Sequence, residues 1–268
     1  MLTNLNRHKL LWALAAFLAL ISALAGVLYP QMYSKVVIAR VLPGTISQDF
    51  VVVVVSIVAL LMLIRIKDEQ VTLQIVLLGV LGFYFYAYGI YVIERVYTLL
   101  YLVYMAIFSL SFYAMIFAVA SIRRKALSQV RLPDGLCKFS VGFSLLMPVV
   151  FYPRWISMLI PLMRTGERIE YLYSVFIIDL CFIMPAFVIL AVMSAKKQGL
   201  GLLLTPALYV VGFAILFPLA LGEVFKPLLF DQPLDPSGFW MFLVLSLAFL
   251  VVAIIYLRRI QFNQVAEI

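Results

Sequence analysis

The chain has 268 residues, of which 66% are hydrophobic and only 12% are charged, with a net charge of +8. An ordinary soluble domain is about 45–50% apolar and about 25% charged; this chain has too little polar surface to cover a water-soluble globule. The composition also excludes a disordered or fibrous chain and predicts an all-α polytopic transmembrane helix bundle.

A hydrocarbon core about 30 Å thick takes about 20 apolar residues of helix. Eight runs meet that length, over residues 10–29, 50–66, 71–93, 96–122, 139–161, 171–195, 200–225 and 238–257, as one transmembrane domain over 1–268. The first run follows Arg7-His8-Lys9 and ends near Ala23-Leu24-Ala25, a pattern shared with signal peptides; its continuation through Tyr29 favours a retained span. Pro30–Asp49 reads as an outer connection holding an interfacial helix that ends at Pro43-Gly44. The valine run at 51–55 lacks the alternation of a barrel strand and reads as helix. The second span closes on Arg65, whose guanidinium can snorkel to the interface.

The third and fourth spans carry tyrosine rows. Tyr84, Tyr88 and Tyr91 repeat at i, i+4, i+7, and so do Tyr97, Tyr101 and Tyr104. Each trio marks one helical stripe, and Glu94-Arg95 reads as the tight turn of an antiparallel hairpin. An interfacial aromatic belt explains Tyr91 and Tyr97. It does not explain Tyr84 and Tyr104, whose buried phenols need partners. Helix packing is the simpler account, and a tyrosine-lined ligand cavity is the functional one.

The stretch Arg123–Lys138 is basic and partly amphipathic, as expected of a helix on the membrane surface, ended by a Pro133-Asp134-Gly135 turn. Spans five to seven hold Pro148, Pro153, Pro161, Pro185, Pro206 and Pro218, each removing a backbone donor. The same spans hold Arg154, Asp179 and Glu223. Ionisable groups in a bilayer cost about 2.5–3.5 kcal/mol each on insertion scales and mark function. The expected centre is therefore Asp179 paired with Arg154, and with Glu223, in a polar pocket in the outer half; the plainer reading gives Glu223 to Lys226, one turn on.

In the eight-span arrangement, thirteen of the twenty Lys and Arg residues fall on the side of the two termini, Arg7, Lys9, Arg123 and Arg258 among them, and six on the other, with Arg154 inside a span. The positive-inside bias places both termini in the cytoplasm. The expected partners are the bilayer, anionic lipid head groups at the basic loops, and a small-molecule ligand; nucleic acid is not expected, and the oligomeric state is open. Cys137 and Cys181 provide no disulfide framework or metal cluster, and the one histidine, His8, lies in the N-terminal tail, so neither a cofactor nor a metal site is expected.

The pattern Gly82-Phe83-Tyr84-Phe85-Tyr86-Ala87-Tyr88-Gly89-Ile90-Tyr91, with Gln48-Asp49 before it and Asp179 with Pro185 after it, is similar to a broad set of uncharacterised prokaryotic multi-span membrane proteins. The resemblance implies a bacterial or archaeal cytoplasmic membrane and carries over no catalytic residue. The function expected on all these grounds is a small-molecule transporter or ligand-binding membrane protein. The alternatives are a lipid-modifying enzyme, disfavoured because no nucleophile–base or metal-binding pattern is legible in the spans, and a non-catalytic accessory protein of a membrane complex.

Overall fold

The computed structural model describes residues 1–169 and 171–262. Eight helices are long and apolar enough to cross a membrane: α1 (Leu5–Leu28), α2 (Leu42–Arg65), α3 (Val71–Ile93), α4 (Tyr101–Ala120), then α6 (Asp134–Thr165), a sixth span over Tyr173–Ala195, α9 (Gly199–Leu229) and α10 (Pro236–Arg259). A short helix α5 (Arg124–Gln129) and strand β1 (Val130–Arg131) precede α6. The sixth span is α7 (Tyr173–Ile178), one π turn (Asp179–Ile183) and α8 (Met184–Ala195).

Helix α3 is the axis of the bundle. Within its most apolar stretch 83% of residues are buried, against 28% in α4 and α10. It packs on α4 and α9. In lipid, water-driven burial does not hold helices together, so close packing of small residues must do so. Gly79 meets the Ala207 carbonyl and Val210 of α9, and Gly82 faces Val211, so a β-carbon at either position would collide. On α1 the buried stripe of Ala15, Ala16, Ala19, Ala23 and Gly26 makes the same use of small side chains.

The first residues and the last described ones, up to Phe262, lie at one end of the bundle. Leu2 bridges Ile122, and strand β2 (Gln261–Phe262) pairs antiparallel with β1 through Val130–Phe262 and Arg131–Gln261. The fully buried Gln74 ties this end together: its side chain accepts from Leu2 N and donates to the carbonyls of Lys67 and Asp68. Lys197 and Asp134 close the same end with an exposed ion pair of 2.7 Å. That pair raises the Lys197 ammonium above its ordinary range, through the hydrogen bond first and the neighbouring charge second.

Several boundaries differ from the sequence reading. Helix α2 starts at Leu42, eight residues early, with Pro43 in its first turn, where the missing N–H costs nothing. Pro43-Gly44 thus opens a helix instead of ending one, and the outer connection holds only a 3-10 turn, Pro30–Tyr33. The α3–α4 connection runs from Glu94 to Leu100, so it is not a two-residue turn and Tyr97 is not on a helix. Residues Pro133-Asp134-Gly135 lead into α6 and do not form a separating turn; the surface helix of the basic stretch is reduced to α5. Helices α6 and α9 are the longest, with 32 and 31 residues, or about 48 and 46 Å. Both overrun a hydrocarbon core of about 30 Å.

Candidate functional site: two buried carboxylates beside the central helix

The most deeply buried carboxylate is Asp49, which is 1% exposed. It lies sixteen residues before Arg65 on α2, about 24 Å from that end, and so about 6 Å inside the far boundary of a 30 Å core. Each of its oxygens accepts a phenol. Tyr33 donates to Oδ2 at 2.6 Å and Tyr91 to Oδ1 at 2.8 Å. Burial, then the neighbouring Tyr91 and Asp49, raise the Tyr33 phenol above its ordinary range, so it stays protonated and donating.

Three elements deliver these groups. The 3-10 turn after α1 brings Tyr33 over the carboxylate. The period of α3 brings Tyr91 and Tyr88 to the same face. Helix α1 comes close enough because residue 26 is glycine: a β-carbon there would overlap the Asp49 carboxylate and stand 2.6 Å from Tyr33 Oη. Around the carboxylate, ring centroids lie 5.1 Å apart for Tyr91 and Tyr104, 5.8 Å for Tyr88 and Tyr91, 5.8 Å for Tyr88 and Tyr104, and 6.1 Å for Tyr33 and Tyr91. Tyr88 Oη bonds Ser22 Oγ at 2.7 Å and donates to the Ala19 carbonyl at 2.9 Å. Thr98 Oγ1 donates to Tyr104 Oη at 3.1 Å, and Tyr104 also bonds Tyr33.

A crevice of about 350 Å³ borders this cluster, lined by Val27, Pro30, Ile46, Phe50, Phe225, Leu229 and Phe230. Val27 follows Gly26 on α1, and Ile46 and Phe50 flank Asp49 along α2. An apolar opening between α1, α2 and α9 thus runs beside the carboxylate without reaching it.

Asp179 is the second centre, 7% exposed and turned into the protein. It begins the π turn, sixteen residues before Ala195 and therefore near the height of Asp49. Its partners are Trp155, whose Nε1 donates to Oδ2 at 3.0 Å, and the Tyr86 phenol of α3. Because π bulges in α-helices often accompany functional sites, the geometry there is a pointer in itself. Tyr86 and the Tyr88–Tyr91 pair leave different sides of α3, so the central helix separates the two carboxylates while contributing a phenol to each.

The expected Arg154–Asp179–Glu223 group does not assemble. Arg154 is exposed and lies over the neighbouring Trp155 ring, 5.7 Å from its centroid. Because α6 starts at Asp134, Arg154 is twenty residues along it, about 30 Å, which is interface height for a cationic head. Glu223 takes both of its close contacts from Lys226 Nζ, at 2.6 and 2.7 Å, and accepts Asp235 N at 3.0 Å. It forms a polar knot near the α9–α10 turn, and none of these bonds goes to Asp49 or Asp179.

The tyrosine rows divide. Tyr88, Tyr91 and Tyr104 join the Asp49 cluster. Tyr84 is equally buried but bonds Ser56 Oγ at 2.7 Å, farther along α2. Tyr101 donates to the Val92 carbonyl at 2.9 Å, and Tyr97 is 62% exposed and packs on Tyr101, with centroids 4.7 Å apart. The sequence reading placed Asp49 in a loop and left Tyr33 and Tyr86 out of the site. A usable signal was present: Pro43 as a helix opener, with polar Gln48-Asp49 just before the valine run. Among the described residues, no group of three or more His, Cys, Asp or Glu side chains has the arrangement of a metal site.

No protein-family profile matches the chain, and neither a curated protein nor a solved structure matches it. Any functional reading therefore rests on the geometry above.

Proposed function

We propose that this chain is a multi-pass transporter of a cell membrane, with both termini in the cytoplasm, that binds a proton or a small cationic solute at Asp49. The observation that supports this is the Asp49 carboxylate, buried on a helix long and apolar enough to cross a membrane, with each oxygen accepting from a phenol. A buried ionised carboxylate is costly unless its charge is compensated. Phenol donors lower that cost by about 1.5–3 kcal/mol each when the acceptor is charged, and they leave the net charge in place. The natural completion is a proton or a cation. The aromatic faces of Tyr88, Tyr91 and Tyr104 suit a cation, because each ring face carries negative potential.

In this conformation the centre is closed. Tyr33, carried on the turn between α1 and α2, covers the carboxylate, and the crevice beside it gives the direction of opening. Asp179, held by Trp155 and Tyr86 at the same height, is the second carboxylate of this reading. The thirteen-to-six distribution of basic residues favours cytoplasmic termini, so both carboxylates belong to the outer half.

The test is thermal stabilisation of the purified protein by a panel of small organic cations, comparing wild type, Asp49→Asn and Asp179→Asn. The expected result is a compound that stabilises wild type and has no effect on Asp49→Asn. Equal stabilisation of wild type and Asp49→Asn by every active compound overturns the assignment.

An accessory role in a membrane complex draws on a different observation. Residues 149–165 of α6 are exposed or half-buried on every side. A stoichiometric partner that co-purifies and shields that segment would favour this second reading.

A further inference from the structure

At the terminal end of the bundle, the start of α1 and the end of α4 enclose a cleft of about 320 Å³. Its rim is polar, with Thr3, Asn4, Arg7 and Ser121; its floor is apolar, with Leu11, Phe117 and Ala120. His8 also lines it. This ring is only 6% exposed, with its Nδ1 enclosed in the protein. No carboxylate lines the cleft. Arg7 is exposed at the rim, and Arg123 and Arg124 are exposed just beyond Ser121.

The surroundings define the kind of molecule that fits. Beside and below the cleft, along the same two helices, Leu10, Leu14 and Tyr113 are exposed, at 73, 43 and 54%. In a membrane those side chains face acyl tails. The cleft therefore spans the boundary between head groups and hydrocarbon, basic above and apolar below.

We infer that this cleft binds one anionic phospholipid, with its phosphate and acidic head group against Arg7, His8 and Asn4 and its acyl chains along Leu11, Phe117 and the outer faces of α1 and α4. The inference stands apart from the Asp49 reading, which concerns the opposite end of the bundle.

The experiment is native mass spectrometry of the full chain, titrated with phosphatidylglycerol, with phosphatidylcholine and with inorganic phosphate. Wild type is compared with Arg7→Gln, His8→Gln and, as a control at the far end of α6, Arg164→Gln. Arg7 and Arg164 are both exposed, and melting temperatures check that each variant folds. Wild type should retain phosphatidylglycerol in preference to phosphatidylcholine, and excess inorganic phosphate should not displace it. Loss of one basic residue near the membrane surface should weaken retention about fivefold in Arg7→Gln, with a loss in His8→Gln and none in Arg164→Gln. Equal retention of the two lipids, displacement by inorganic phosphate, or equal losses in Arg7→Gln and Arg164→Gln would each overturn the assignment.

Discussion

Tyr33 and Tyr91 donate to different oxygens of Asp49, at 2.6 and 2.8 Å. Replacing either by Phe leaves one carboxylate oxygen without its donor in a site that water does not reach, at a cost of about 1–3 kcal/mol. Because both act on one charge, the double variant should depart from additivity by about 0.5–3 kcal/mol; denaturation of the single and double variants in detergent measures it. Gly26→Ala probes the same centre from α1. Its methyl group would displace the Asp49 carboxylate or the Tyr33 phenol, and overpacking of this kind costs about 1–3 kcal/mol. Gly142→Ala, where a β-carbon meets nothing within 4 Å, should be neutral or stabilising in the same melting assay. The sequence revealed the phenols of α3 by their period. It concealed Asp49, because Lys35, Arg40 and Pro43-Gly44 before it have the composition of a loop.

At the scale of helices, most of the architecture was legible, since an apolar run of sufficient length admits one solution in a bilayer: a helix with every backbone group satisfied internally. The ends were less legible, because helices extend past the hydrocarbon wherever caps and partners allow. Helix α6 shows the consequence. Its early start at Asp134 moves Arg154 from an apparent depth inside the span to interface height, and with that the expected pairing with Asp179 disappears. Glu94 is a second case. It looked like a turn residue, yet its Oε1 accepts both Ser174 N at 2.8 Å and Ser174 Oγ at 2.7 Å, capping the start of α7 from eighty residues away. No local pattern could show that contact. The height of Arg154 leads to a prediction: in intact cells, a membrane-impermeant maleimide should label Arg154→Cys readily from outside and leave Lys197→Cys unlabelled until the membrane is opened. Labelling of Lys197→Cys alone would invert the proposed orientation.

For the whole molecule, the arrangement is a buried central helix with a carboxylate on two of its sides, and the first residues and strand β2 held at one end of the bundle. Gly79, Gly82 and the alanine stripe of α1 let the helices of the frame pack closely. The 3-10 turn bearing Tyr33 joins two of these helices and is the smallest element whose movement would uncover Asp49. The central claim is that Asp49 is a working carboxylate that exchanges a proton or cation. An apolar carbodiimide tests it most directly, because the reagent enters membranes and adds to protonated carboxyl groups. Mass spectrometry should find the adduct on Asp49, reduced at alkaline pH or by a stabilising cation and missing from Asp49→Asn. An Asp49 that stays unmodified at every pH, with wild type and Asp49→Asn giving identical adduct maps, would contradict the claim.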